Sequence, residues 1–198
     1  MSLFIESIKL VNGNFCNLFY HEQRMLRSLE SLCGVEEDFN LEEFLKSMEY
    51  PSEGLFKTRI IYDDMTKQVE FVPYEPRPVT TLKIVEHDRV SYDYKFTDRK
   101  QIDKLFEKRE ECDDILIVKK GKITDASYAN IVFKKDNHWV TPWSALLKGT
   151  MRQKLIDNNT IVPEDISVEE LSTFTSFKLI NAMLEFDGPE IEVSNIVL

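Results

Sequence analysis

At Leu55 the hydrophobic period of the chain changes from that of a helix to that of a strand, and this switch constrains the fold more than any other feature. Before it, YHEQRMLRSLESLCG sets Met25, Leu26, Leu29 and Leu32 on one helical face and closes on Gly34. NLEEFLKSMEYP then opens on Asn40 with Glu43 three residues later, a capping pattern, and stops before Pro51, which predicts a second helix. After the switch, LFKTRIIYDDMTKQVEFVPYE is two β-rich runs joined by a polar turn at 63–67, a hairpin. Amphipathic helices beside a hairpin bury their apolar faces only against each other, so the expected class is α/β in the α+β sense.

EPRPVTT carries Pro76 and Pro78 and favours an extended connector, the best candidate boundary between two lobes. The expected division is 1–85, a small α/β lobe, and 86–198, a larger one. In the second, the extended run YDYKF leads into FTDRKQIDKLFEKREE, a helix with Ile102, Leu105 and Phe106 on one face behind a Thr97 or Asp98 cap. DDILIVKKGKITDAS and NIVFKKDNHWVTP follow as a β-meander broken at KKGK and KKDN. GTMRQKLIDNN opens a helix on Gly149 or Thr150, whose N-terminus suits an anion.

A chain of 198 residues, 42% hydrophobic, buries a real core. Its formal charge of -10 argues against a nucleic-acid partner, because phosphate contacts draw on clustered Lys and Arg and the basic residues here are not clustered. Glu6 and Lys9 interrupt MSLFIESIKL where a signal peptide needs an apolar run, and no segment has transmembrane length, so neither secretion nor a membrane is expected. Cys16, Cys33 and Cys112 are odd in number and far apart, which suggests reduced thiols and a cytoplasmic protein.

No Walker loop, GxGxxG, GxSxG or HExxH occurs, and His21, His87 and His138 show no metal-ligand spacing, so no metal is expected. One stretch stands out. In GKITDASYANIVF, Asp125 sits among small and apolar neighbours at the start of a buried strand, where a carboxylate needs a cationic or hydrogen-bonding partner.

Taken in order, YKFTDRKQIDKLF, GKITDASYANIVF, WVTPWSALLKGTMRQKLI and FKLINAML resemble successive blocks of the class IV aminotransferases, the pyridoxal-phosphate enzymes of fold type IV. That family includes branched-chain and D-amino acid aminotransferases and aminodeoxychorismate lyase. FIESIKLVNGNFCNLFYHEQRMLRSLESL resembles its opening block and LFKTRIIYD its phosphate-arginine strand, so the resemblance spans almost the whole chain. It implies a compact version of the two-lobed architecture with pyridoxal 5'-phosphate held between the lobes.

Residue by residue, the resemblance makes Lys95 the Schiff-base lysine, a role that suits an amine flanked by Tyr92, Tyr94 and Phe96, because partial desolvation keeps it neutral. It makes Asp125 the partner of the pyridine nitrogen, with Asp where the family usually has Glu, a side chain one methylene shorter. It gives the cofactor phosphate to Arg59 and to the amides of Gly149, Thr150 and Met151, and offers Asn181 as a further polar contact. Asn130 matches the family's Asn and Arg99 its NR position. For both, a structural hydrogen bond or pairing stands beside a cofactor contact.

The implied activity is amino-group transfer between an amino acid and a keto acid, by a cytoplasmic homodimer acting on a small amino-acid-like molecule. The alternative is aminodeoxychorismate lyase, releasing 4-aminobenzoate and pyruvate, towards which LINAM leans. A third is a non-catalytic binding module, suggested by the 35 residues that separate Arg59 from Lys95, fewer than the family commonly has.

Overall fold

The computed structural model describes residues 3–36 and 38–198. They fall into two compact units, Met1–Pro76 with Tyr94–Asp98, and Arg77–Asp93 with Arg99–Leu198.

In the first unit, β1 (Phe4–Val11), β2 (Asn14–Phe15), β3 (Leu55–Tyr62) and β4 (Lys67–Pro73) form an antiparallel sheet in the order β2-β1-β3-β4, and α1 (Leu18–Cys33) and α2 (Leu41–Lys46) accompany it. The hairpin expected after Leu55 is β3–β4, with Arg59 opposite Glu70. Strand β1 alternates buried and half-buried residues along its length, so Phe4, Glu6, Ile8 and Leu10 point one way. Phe4 and Ile8 meet Met25, Leu29, Leu41, Leu45, Ile60 and Tyr62 in the core.

Asn40 caps α2 as its sequence predicts, its side chain accepting from the Glu43 N–H at 3.0 Å. Gly34 ends α1 with φ +68°, a left-handed turn that favours glycine. The buried face of α1 differs from expectation. Leu32 is 49% exposed, while His21, Arg24, Met25, Ser28 and Leu29 are buried. The helix is turned so that two charged-type side chains reach the inward Glu6.

In the second unit the path β10-β9-β8-β7-β6-β5-β13 runs through β5 (Leu82–Glu86), β6 (Asp114–Lys119), β7 (Lys122–Ala126), β8 (Asn130–Lys135), β9 (His138–Pro142), β10 (Ile161–Glu164) and β13 (Ile196–Val197). Strand β11 (Ser176–Ile180) joins β8 along its other edge, and β12 (Ile191–Glu192) joins β11. The meander β6–β9 is antiparallel, whereas β5 and β10 are parallel to their neighbours β6 and β9. Leu116, Val118, Ile123, Ile131, Phe133, Val140 and Phe177 fill the core. Helices α3 (Lys100–Phe106) and α4 (Thr150–Asp157) complete the unit.

The sequence division at 85 left Leu82–Val85 in the first lobe, whereas in the structure the whole strand Leu82–Glu86 pairs with Asp114–Val118 of the second unit. The run YDYKF bends instead of forming a strand. Among the described residues Phe96 is the one member of this run to make a bridge, to Phe4, and the Lys95 carbonyl accepts from the Ile5 N–H at 2.9 Å. Those two contacts tie Lys95 to β1 within the first unit. Arg99, not Thr97 or Asp98, is the N-cap of α3, and Thr97 Oγ1 donates to the Leu3 carbonyl at 3.2 Å. Among the described residues no helix is long and apolar enough to cross a membrane.

Candidate active site

The polar centre of the second unit is built where β7 turns into β8. Asp125 and Asn130 face each other in register across this turn, which the Ala126 N–H closes on the Ala129 carbonyl at 2.9 Å. Asn130 Nδ2 donates to Asp125 Oδ1 at 2.7 Å and to the Leu147 carbonyl at 2.9 Å, while the Leu147 N–H donates to Asp125 Oδ2 at 2.9 Å. The carboxylate is thus bound on both oxygens by neutral donors.

Asp125 is 5% exposed. Burial pushes its pKa up to about 6, against the opposing pull of the Leu147 amide, Asn130 and the Arg152 charge. A full cation in hydrogen-bonding contact would normally hold a carboxylate down, so neutral donors and a more distant charge leave part of the desolvation unmet. Arg152 itself donates from Nη2 to the Pro142 carbonyl at 2.9 Å, and its Nε is buried with no hydrogen-bond partner among the described residues.

Gly149 is the N-cap of α4, with extended backbone and no side-chain capping bond. A Cβ there would overlap Asn130 Oδ1, so glycine is what lets the Asn130 amide lie against the helix start. Thr150 and Met151 form the buried first turn behind it. The structure therefore gathers Asp125, Asn130, Gly149, Thr150 and Met151 at one place. Asn181 stands just beyond β11, where Nδ2 donates to the Tyr128 carbonyl at 3.1 Å and Oδ1 accepts from the Met183 and Leu184 amides at 2.8 and 3.0 Å.

Arg59 and Lys95 lie in the first unit. Arg59 is on the half-buried face of β3, where its Nη1 pairs with Glu70 of the neighbouring strand, the two side chains 36% and 50% exposed. Its guanidinium is committed to an ion pair, and an anion there would compete with Glu70.

A second charged cluster in the first unit escaped the sequence reading. Glu6, 0% exposed, accepts from Arg24 Nε at 2.8 Å, Arg24 Nη2 at 2.6 Å and His21 Nδ1 at 2.6 Å. Burial alone would raise the Glu6 carboxyl, but the Arg24 guanidinium and His21 outweigh it and hold it at about 2. Burial lowers His21 more than Glu6 raises it, with Arg24 and then Lys95 adding to the lowering. The imidazole is therefore neutral, its Nδ1–H donating to the carboxylate, and the Lys95 charge is felt there. The signal was present in FIESIKLV, whose alternation puts Glu6 on the apolar face, and in the three-residue spacing of His21 and Arg24.

Residues 67–186 match the family model described as amino-transferase class IV. An uncharacterized protein of Haemophilus influenzae is 34% identical over 90% of this chain and 96% of its own. The crystal structure of a proposed 4-amino-4-deoxychorismate lyase from Haemophilus somnus has a TM-score of 0.87 at 33% identity, covering 94% of this chain and 98% of that one. A hypothetical aminotransferase from Mycobacterium tuberculosis, in a PLP-bound form, shares the fold at TM-score 0.75 and 17% identity, over 96% of this chain and 82% of that one. The family match spans the strands and helix that carry Asp125, Asn130 and Gly149, as well as the segment of Lys95, and the chain belongs to the class IV aminotransferase family.

Proposed function

We propose that the protein binds pyridoxal 5'-phosphate and uses it to act on an amino acid or amino-substituted acid. The observation that carries this reading is Asp125, a buried carboxylate whose two oxygens meet only neutral donors and whose desolvation is partly unmet. A protonated ring nitrogen supplies the missing positive hydrogen-bond donor. The start of α4, where Gly149 is an N-cap without a side-chain capping bond ahead of Thr150 and Met151, suits a phosphate by its amides and its dipole. Asn130 then fixes Asp125 rather than touching the cofactor, and Asn181 has the same kind of structural task.

When bound, the cofactor supplies an electron sink for the pair left behind when the substrate Cα loses its proton. Lys95 would hold the cofactor through Nζ, release it to the incoming substrate amine, and then take the Cα proton on that same nitrogen. Asp125 would keep the ring nitrogen protonated. Arg59 remains a candidate for the phosphate, in exchange for its pairing with Glu70.

Two completions share those steps. Elimination, the 4-amino-4-deoxychorismate lyase reaction, is supported by the name of the Haemophilus somnus relative and by the lyase-like LINAM. Amino-group transfer is the activity that the sequence resemblance implies, and a short chain with few loops to enclose a bulky ring suits it. A relative of matching span that carries the lyase name weakens that ground, so we favour elimination, with transamination as the second reading. We further propose a homodimer in the cytoplasm, which light scattering of the purified protein tests in its first part.

The deciding experiment incubates the protein with pyridoxal phosphate, records the visible absorption band, reduces with borohydride and maps the modified peptide. Label at Lys95 is expected. Label on another lysine, or none, overturns the proposal in favour of the non-catalytic module. Supplying 4-amino-4-deoxychorismate and measuring 4-aminobenzoate and pyruvate, beside a panel of L- and D-amino acids watched for spectral conversion, then separates lyase from aminotransferase.

A further inference from the structure

We propose that Arg99, Asp114 and Asn181 are positioning residues for Asp125, gripping the Ser127–Tyr128 turn from three separate elements so that Asp125 and Asn130 meet at its base. The turn's backbone is bonded on consecutive groups. The Ser127 N–H donates to Asp114 Oδ1 at 3.4 Å, the Ser127 carbonyl accepts from Arg99 Nη2 at 2.7 Å, and the Tyr128 carbonyl accepts from Asn181 Nδ2 at 3.1 Å. These side chains come from the first residue of β6, the cap of α3 and the residue after β11. A surface turn ordinarily leaves such groups to water.

Each brace is itself held. Asp114, 5% exposed, also accepts from the Ile115 N–H at 2.7 Å. Asn181 is locked by the Met183 and Leu184 amides on its oxygen. The Arg99 guanidinium lies 4.1 Å from the Tyr128 ring centroid and 5.5 Å from that of Tyr92. Among the described residues its Nε makes no hydrogen bond and sits 3.7 Å from Asp103 Oδ1, while Nη2 makes the short bond to the turn. A planar fork that stacks and donates at once fixes a turn in a way that a lysine ammonium does not.

What the braces protect is the geometry beneath them. Among the described residues, Asp125 and Asn130 are the single register pair between β7 and β8. Without the braces, the separation of these two residues would follow the motion of a turn whose Tyr128 is 63% exposed. The carboxylate would then lose its fixed direction. The functional weight of this inference rests on Asp125 meeting the cofactor ring, while its geometric part is testable in cofactor-free protein.

Amide hydrogen exchange of the cofactor-free protein reads the geometry at the Leu147 N–H, which donates to Asp125 Oδ2. In Arg99→Lys that amide should exchange about tenfold faster, while Phe133 and Val140, paired between β8 and β9, keep their protection. The titration midpoint of the Asp125 carboxyl should fall toward the ordinary aspartate range as water reaches it. Tyr128→Ala, at an exposed ring, removes the stack on Arg99 together with the edge contact to Phe106 and spares the backbone bonds of the turn. It should move both readouts the same way, which keeps the test decisive if Arg99→Lys does not fold. Unchanged exchange at Leu147, or equal loss across the β8–β9 pair, overturns the proposal. Absence of label at Lys95 would defeat the proposed function and leave this result standing.

Discussion

Asn130 Nδ2 bonds at once to the carboxylate of Asp125, at 2.7 Å, and to the carbonyl of Leu147, at 2.9 Å. One amide group thus joins the β7–β8 turn to the segment that leads into α4, and so fixes the distance between a buried negative charge and a helix N-terminus. In the proposed function those two points receive the ring and the phosphate of one molecule.

Gly149→Ala tests that link. The added Cβ would overlap Asn130 Oδ1, and Asn130 cannot swing away without giving up Asp125 or Leu147. Overpacking of this kind costs about 1–3 kcal/mol, to be read as a lower midpoint in urea unfolding. Pyridoxal-phosphate affinity should fall as well. A variant with wild-type stability and affinity would mean that the asparagine has room to move.

Glu6→Gln should destabilise far more than its conservative chemistry suggests. The amide leaves the Arg24 guanidinium, 6% exposed, without its counter-charge, a loss of about 3–5 kcal/mol for a buried pair broken on one side. The folded pKa of Glu6 lies below its ordinary 4.5, so its contribution is fully present above that value and is lost as pH falls toward 2. Urea midpoints of wild type and variant should therefore converge in strong acid and stand apart at pH 7. Equal midpoints at pH 7 would show the cluster to be energetically idle.

Arg59→Ala separates two roles. The pair with Glu70 is half exposed, and such pairs contribute at most about 1 kcal/mol to stability. A charge-assisted fork on a phosphate is worth about 2–3 kcal/mol of cofactor affinity. Near-normal thermal stability with binding of pyridoxal phosphate weakened by about 30- to 150-fold is the expected result. Unchanged affinity would move the phosphate contact to other residues.

The fold was legible wherever period and turn chemistry agreed. Asn40 and Glu43 marked the start of α2, and KKGK marked the β6–β7 turn, whose Lys120 and Gly121 both have positive φ as a two-residue hairpin loop requires. Asp125 was conspicuous because a carboxylate among small and apolar neighbours shortly before NIVF needs a partner, and in the structure it is buried with Asn130 and the Leu147 amide as donors. Less visible was the pairing of Leu82–Glu86 with a strand almost thirty residues on, since parallel partners leave no local mark. Leu32 misled because α1 turns its His21–Arg24 side inward, and that orientation is set by Glu6 on another element. The three braces of the Ser127–Tyr128 turn come from distant positions whose convergence only the folded chain reveals.

The pH dependence of stability gives the sharpest test of Asp125. Its folded pKa is raised from 3.8 to about 6, so between those values the native state keeps a proton that the unfolded chain has released. Stability in cofactor-free protein must then fall as pH rises through this window, by about 1.4 kcal/mol per pH unit and about 3 kcal/mol in all, and level off above it. Asp125→Asn has no such proton. Subtracting its urea-unfolding profile from that of the wild type cancels Glu6 and every other titrating group, and the difference should move against the wild type from pH 4 to pH 6 and then stay flat. Saturating pyridoxal phosphate should flatten it in the wild type, because a protonated ring nitrogen meets the carboxylate and holds its pKa down. Parallel profiles without cofactor would mean that Asp125 is ionised at no cost where it lies, and would return it to the role of an ordinary turn aspartate.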